Sequence, residues 1–189
     1  MHHSLKLYSR HRELFLRYYI FQAKWTKIPI IGRIVRATAN LYGKHAASAY
    51  LLTTAEAERI VELALGLALG PCTCREVFHN CDKSIDAEIM VGLTRNIFIE
   101  DRPEDYHEIT AEEAKQILRQ CHEQGLIHTL LKCREDFYSI CNCCTCCCVP
   151  LRLNKQYGIG NATVRDPDIV ERFRQTLPAT SRGTSTPPS

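Results

Sequence analysis

The feature that most constrains this chain is the sequence ICNCCTCCCVP, which places six cysteines within residues 141–148. Six thiolates this close together repel each other unless cations lie among them. Metal binding deprotonates the thiols and neutralises that repulsion at the same time. Disulfides fit the run poorly because we expect a reducing compartment, where clustered cysteines indicate metal or redox chemistry. The run therefore predicts a metal or redox centre.

A second cysteine-rich stretch, PCTCREVFHNC, lies about seventy residues earlier in the chain and contributes Cys72, Cys74 and Cys81. In the later run, Cys141, Cys144 and Cys147 have the CxxCxxC spacing that lets one loop wrap around a face of a cubane iron–sulfur cluster. The common ferredoxin pattern places its next cysteine where this chain has Leu151. We therefore expect the fourth ligand to come from the earlier stretch.

Spacing alone leaves the partition of these cysteines open. Cys143 and Cys146 form a further CxxC, and Cys148 is left over, so two four-cysteine clusters or one cluster with accessory thiols both fit. Binding of zinc or copper by thiolates, without redox turnover, is a further alternative. The predicted metal ligands are Cys72, Cys74, Cys81, Cys141, Cys143, Cys144, Cys146, Cys147 and Cys148. Arg75 is added to the site because a guanidinium would offset the negative charge of a cluster.

Three motifs together resemble those of a poorly characterised family of ferredoxin-like iron–sulfur proteins from anaerobic bacteria and archaea. They are GPCTCR followed by Cys81, HEITAEEAKQIL followed by GLIH, and ICNCCTCCC, and the resemblance covers about residues 40–153. It implies one or two [4Fe–4S] clusters on the nine cysteines, electron transfer, and protein redox partners. Longer family members continue into a module with two CxxCxxCxxxCP motifs, which this sequence does not contain.

The sequence contains no pattern typical of a common catalytic site. It has no Ser-His-Asp pattern, no glycine-rich phosphate loop and no CxxxCxxC of the radical adenosylmethionine kind. We expect an electron carrier, or an accessory redox subunit of a larger enzyme, rather than an enzyme in its own right.

Positive charge is concentrated at the start of the chain. Residues 1–45 contain nine Lys or Arg and one acidic residue, Glu13, for a charge of +8, whereas the whole chain carries +3. Aromatic residues interleaved with these cations predict packing on the core, contact with a membrane surface, or docking on an acidic redox partner. Nucleic-acid binding is not expected, because the remaining chain is mildly acidic and has no known reader motif.

No apolar stretch approaches the ~20 residues that a spanning helix needs, and no signal-type cleavage site is present. We expect a cytoplasmic protein with peripheral contact to the inner face of the membrane. The predicted organisation is a basic amphipathic segment over 1–45, an iron–sulfur domain over 46–177 and a disordered tail over 178–189.

Local signals predict a largely helical chain. Thr53 with Glu56, and Thr110 with Glu113, have capping-box spacing and start two helices, of which the first is expected to run to Gly70. Further helices are predicted near 5–24, 85–94 and 166–177. LIHTLL and FYSIC predict a small hairpin that leads into the cysteine run. The expected fold class is mainly α with a small β-hairpin (α+β).

Overall fold

The structure, a computed structural model, describes residues 2–45, 47–92, 94–133 and 136–178. Its helices are α1 (His2–Ala23), α2 (Ile31–His45), α3 (Thr54–Leu63), α4 (Thr73–Phe78), α5 (Thr94–Asp101), α6 (Ala111–Glu123), α7 (Val149–Tyr157) and α8 (Ile169–Thr176). Its strands are β1 (Ala47–Leu51), β2 (Leu67–Pro71), β3 (Asp86–Val91), β4 (His107–Ile109), β5 (Ile127–Cys133), β6 (Asp136–Cys143) and β7 (Thr163–Arg165). Short 3₁₀ helices cover Lys24–Lys27 and Gly160–Ala162. Most of the tail predicted to be disordered, 179–189, lies outside the described residues.

The described strands form one seven-stranded sheet in the order β4-β2-β3-β6-β5-β1-β7. Neighbouring strands are antiparallel, except β1 and β7, which are parallel, so the sheet is mixed. The prediction of a mainly α chain with one small hairpin is therefore wrong, and the fold is α/β. The predicted hairpin is present as β5 and β6, but it lies in the interior of a larger sheet.

Five described strands lie outside the predicted hairpin, and two of them, β2 and β3, lie where the sequence predicts helix. Residues 85–94 were expected to be helical, yet Asp86–Val91 is the strand β3, buried between β2 and β6. A central strand that is covered on both faces shows an apolar run without alternation, and such a run does not distinguish a strand from a buried helix. Helix α3 ends at Leu63 rather than Gly70, and the chain then forms β2 by pairing with β3 and β4.

The helix-start signals are confirmed. Both capping boxes form: the hydroxyl of Thr53 accepts from the backbone N–H of Glu56, and Thr110 does the same for Glu113. The helix expected after Asp166 is α8. Gly125, with φ of +72°, follows α6 in the left-handed region that glycine adopts without strain.

Helices cover the sheet on both faces. Helices α3, α6 and α8 pack on one face in a core that includes Ile60, Leu118 and Phe173. Phe98 of α5 lies in a second core, against which Tyr8 of α1 packs. Helix α1 also packs against α4, α5 and α7. The end of β6, where the cysteine run begins, therefore lies between two helical layers.

Candidate metal centre

The cysteine run is part strand and part loop. Cys141 and Cys143 are among the last residues of β6, where Cys141 pairs with Glu88 and Cys143 pairs with Ile127 of the two neighbouring strands. The chain then leaves the sheet and enters α7, which has a proline in its first turn. Two of the six thiols are thus fixed by the backbone ladder of the sheet.

Strand geometry divides the cysteines into two groups. Successive side chains of a strand point to opposite faces of the sheet. Cys141 and Cys143 therefore share one face, on which Cys143 packs with Cys148 and Leu151 of α7, whereas Cys144 follows the end of the strand and packs with Cys121 of α6. We call Cys81, Cys144, Cys146 and Cys147 the tetrathiol group, and we call Cys72, Cys74, Cys141, Cys143 and Cys148 the inner thiol group. All eleven cysteines of the chain are free thiols.

The tetrathiol group has the geometry of a metal site. Its four sulfur atoms all lie within 4.8 Å of one another. The Sγ of Cys81 is 3.7 Å from that of Cys144 and 3.9 Å from that of Cys147, and the Sγ atoms of Cys146 and Cys147 are 4.0 Å apart. Four thiolates around one tetrahedral ion, each at about 2.3 Å from it, lie about 3.8 Å from one another. This group can therefore hold a metal ion.

Backbone and side-chain hydrogen bonds join the two loops that carry the tetrathiol group. The amide of Asn80 donates to the carbonyl of Cys146 at 2.9 Å. The backbone N–H of Asn80 donates to the thiol of Cys147, and the backbone N–H of Cys147 donates to the thiol of Cys144. Hydrogen bonds of this kind orient metal ligands and stabilise the thiolate form.

These contacts also set the ionisation of the group. Burial raises the pKa of Cys144, but hydrogen bonds from the Cys147 backbone and from neighbouring thiols outweigh burial and lower that pKa to about 7. Burial raises the pKa of Cys147. Cys144 therefore ionises more readily than Cys147, and a bound metal ion would favour the deprotonated form of Cys147.

The inner thiol group lies deeper in the protein. The thiol of Cys148 donates to the Sγ of Cys143 at 3.2 Å and is also hydrogen-bonded to Cys74. Burial, together with the nearby Cys141, raises the pKa of Cys72 to about 12. Without a cation these buried sulfurs are neutral thiols. Cys141 completes the group through a hydrogen bond with Cys143, which raises the pKa of Cys141 well above its ordinary value.

Arg75 lies against both groups. Its side chain is 2 % exposed, and one terminal nitrogen donates to the carbonyl of Asn142 at 3.1 Å. Its Nε and Nη2 are buried without a hydrogen-bond partner. Burial lowers the pKa of Arg75, but Cys72, Cys144 and Cys143 outweigh that effect and raise it. An arginine buried with two unpaired donors is costly unless an anion lies beside it.

A buried ionic network that no sequence pattern predicts lies next to the inner thiol group. Glu88 of β3 is fully buried and accepts from Arg12 at 2.7 Å, Ser139 at 2.9 Å and Cys141 at 3.3 Å. The hydroxyl of Tyr106 donates to the second oxygen of this carboxylate at 3.1 Å. The sequence predicts Arg12 only as one cation of the basic N-terminal segment. Nothing in the sequence links it to Glu88, which lies 76 residues away.

The nine predicted ligands thus fall on two sides of one strand end, and Arg75 contacts both sets electrostatically. Comparison of the chain with protein-family models, with curated proteins and with solved structures finds no match. The geometry supports a metal-binding cysteine site, and the family resemblance stays a prediction. In the described part of the chain, none of the helices combines the length and the apolar character needed to cross a bilayer.

Proposed function

We propose that this protein is a metal–thiolate protein whose tetrathiol group binds a single tetrahedral ion of zinc or iron. The observation that carries the proposal is the mutual separation of the four sulfurs, all within 4.8 Å. Thiolates around one ion lie this close, whereas thiolates on the four corners of a cubane each bind a different iron atom and stand farther apart. Four cysteines are also a ligand set that zinc and iron both favour.

The charge balance around the group supports the same proposal. A divalent ion with four thiolates carries a net charge of −2, and the buried Arg75 has two donors without partners beside Cys144. The half-buried Cys81 and Cys146 place the ion close to solvent, where it can be loaded or can exchange an electron with a partner.

A second candidate is an iron–sulfur electron-transfer protein, and the inner thiol group favours it. A structural tetrathiolate ion does not need five further cysteines immediately beneath it. A cluster that used sulfurs of both groups would draw ligands from Cys72–Cys81 and from Cys141–Cys148, as the motif resemblance implies. In this case the protein would pass electrons between redox partners.

Metal and acid-labile sulfide analysis after anaerobic purification separates the two candidates. One ion per chain without sulfide is expected for the tetrathiolate ion, and iron with equimolar sulfide is expected for a cluster. Cys81→Ser and Cys146→Ser should each lower the metal content. Cys121→Ala is the matched control, since Cys121 is a buried thiol outside both groups.

A variant of the inner thiol group sharpens this distinction. Cys148→Ala leaves the metal content unchanged if the tetrathiol group alone holds the ion, and it lowers iron and sulfide together if a cluster uses both groups. Full metal content in all four single serine variants of the tetrathiol group would refute the tetrathiolate site.

A further inference from the structure

The first two helices expose apolar residues where a globular protein normally presents polar ones. Helix α1 buries a narrow face formed by Ser9, Arg12, Leu16, Ile20 and Ala23. It exposes a second stripe at helical spacing, Leu14, Tyr18, Phe21 and, just beyond the helix end, Trp25. The cations Arg10, Arg17 and Lys24 recur every seven residues beside that stripe. Cations flanking an exposed apolar stripe are typical of helices that lie on a membrane surface.

Helix α2 also has its apolar stripe on the outside. Ile31, Ile34 and Leu41 are exposed, while Gly32 and Gly43 are buried on the inner side. A Cβ at Gly32 would lie 2.2 Å from the carbonyl oxygen of Thr26, so this face makes backbone contact. The close contact holds the helix in its orientation, and the isoleucines cannot turn inward.

The two stripes meet at the turn between the helices, and the tip of this turn is strained. Ile30 has φ of +68° and is 81 % exposed. A β-branched residue is rarely found in the left-handed region, because its side chain clashes with the backbone there. Ile28 and Ile31, on either side of the tip, are also exposed. The fold therefore keeps a cluster of isoleucines exposed at this tip.

Cations surround this tip. Lys27, Arg33 and Arg36 line a shallow cavity of about 540 Å³ together with Ile28, Pro29 and Ile30. Arg36 donates to the carbonyl of Thr26 at 2.6 Å, which holds its guanidinium beside the turn. Glu13 is the single acidic residue in 1–45, against nine cations. An apolar tip that is flanked by cations complements a surface whose outer layer is negatively charged and whose interior is hydrocarbon.

We propose that this face binds the surface of an anionic phospholipid bilayer. The isoleucines of the turn enter the boundary between headgroups and acyl chains, and the exposed Arg33 contacts the lipid phosphates. A second copy of this chain is a poorer occupant, because two such cationic faces repel each other. A nucleic acid would satisfy the cations but would leave the isoleucines in water. The proposal does not depend on which metal the tetrathiol group binds.

Vesicle binding of the full chain tests this inference. We expect cosedimentation with phosphatidylglycerol-containing vesicles, weaker binding to pure phosphatidylcholine vesicles, and release by high salt. Trp25 is the single tryptophan of the chain, is 47 % exposed and lies beside the tip. Its emission should shift to the blue on binding and be quenched by lipids brominated in their acyl chains.

Matched variants separate insertion from simple charge attraction. Ile30→Ser should weaken binding by about tenfold, since it removes one apolar side chain from the contact. Arg33→Ala should weaken it by about fivefold, which corresponds to about 1 kcal/mol per cation. Leu65→Ser is the control, because Leu65 is 44 % exposed but lies far along the chain from this face. Metal content equal to wild type shows that each variant is folded and keeps this test apart from the metal proposal.

Three results would overturn the inference. The first is absence of binding to anionic vesicles. The second is binding that Ile30→Ser does not weaken and that leaves the emission of Trp25 unchanged, which would indicate electrostatic adsorption alone. The third is self-association without vesicle binding, which would make a second copy the occupant.

Discussion

Replacing Arg75 by methionine tests the charge argument at the metal centre. The substitution keeps an unbranched side chain of similar length and removes the buried cation. Two donors of Arg75 lie beside the thiols without a hydrogen-bond partner in the protein, and metal-bound thiolates would supply one. A hydrogen bond to a charged group contributes about 1.5–3 kcal/mol. This corresponds to metal affinity lower by about 10- to 100-fold, the range typical of residues that support metal ligands.

Competition with a chromophoric chelator at fixed pH measures this loss. Arg119→Met is the matched control, because Arg119 is 62 % exposed and pairs with Glu58 on the surface. Without metal, Arg75→Met should be less stable than wild type by at most the contribution of the one hydrogen bond to Asn142. The substitution also removes the two unpaired donors, whose burial is unfavourable. Equal metal affinity in wild type and Arg75→Met would refute the reasoning. An equal loss in Arg119→Met would refute it too.

Three further predictions concern stability, each measured by urea unfolding of the metal-free protein. Arg12→Met should lower the free energy of unfolding by about 3–5 kcal/mol because it leaves Glu88 buried without its cation, and a loss below 1 kcal/mol would contradict a buried pair. Gly70→Ala should cost about 1–3 kcal/mol, since its Cβ would lie 2.1 Å from the ring of Tyr106, and an unchanged midpoint would show that the ring moves freely. Burial lowers the pKa of His128 in the fold, so the unfolded chain binds the proton more readily and stability falls as pH drops below about 6.5. His128→Gln should therefore show a flatter stability profile between about pH 7 and 5, and an unchanged slope would exclude this histidine as the cause.

Much of the local structure could be predicted from the sequence. The capping boxes at Thr53 and Thr110 define helix starts through hydrogen bonds between residues three apart, and such bonds need no tertiary partner. The hairpin of β5 and β6 was also predicted from two apolar runs. Strand β3 was missed because its apolar residues follow one another without alternation, and its partners lie far along the chain.

The sequence predicted a set of candidate cysteines, but it did not predict how they divide into the tetrathiol group and the inner thiol group. Cysteine density and CxxCxxC spacing predicted nine ligands, and that spacing grouped Cys141 with Cys144 and Cys147. In the structure Cys141 instead lies with the inner thiol group, because residues 141 and 143 share one face of β6, whereas Cys144 follows the end of that strand and packs with Cys121. The register of β6 between β3 and β5 sets this division, and register depends on contacts between distant segments.

The sequence by itself determined the chemistry: thiols in excess, a cationic first segment, and the starts of the main helices. These follow from residue type and from interactions over a few positions. The tertiary structure decided which four sulfurs meet, and it buried Arg12 on Glu88 and Arg75 beside the thiols. It also left the isoleucines of the turn between α1 and α2 exposed. Each of these outcomes depends on packing between elements far apart in the chain, where burial and pairing outweigh local preference.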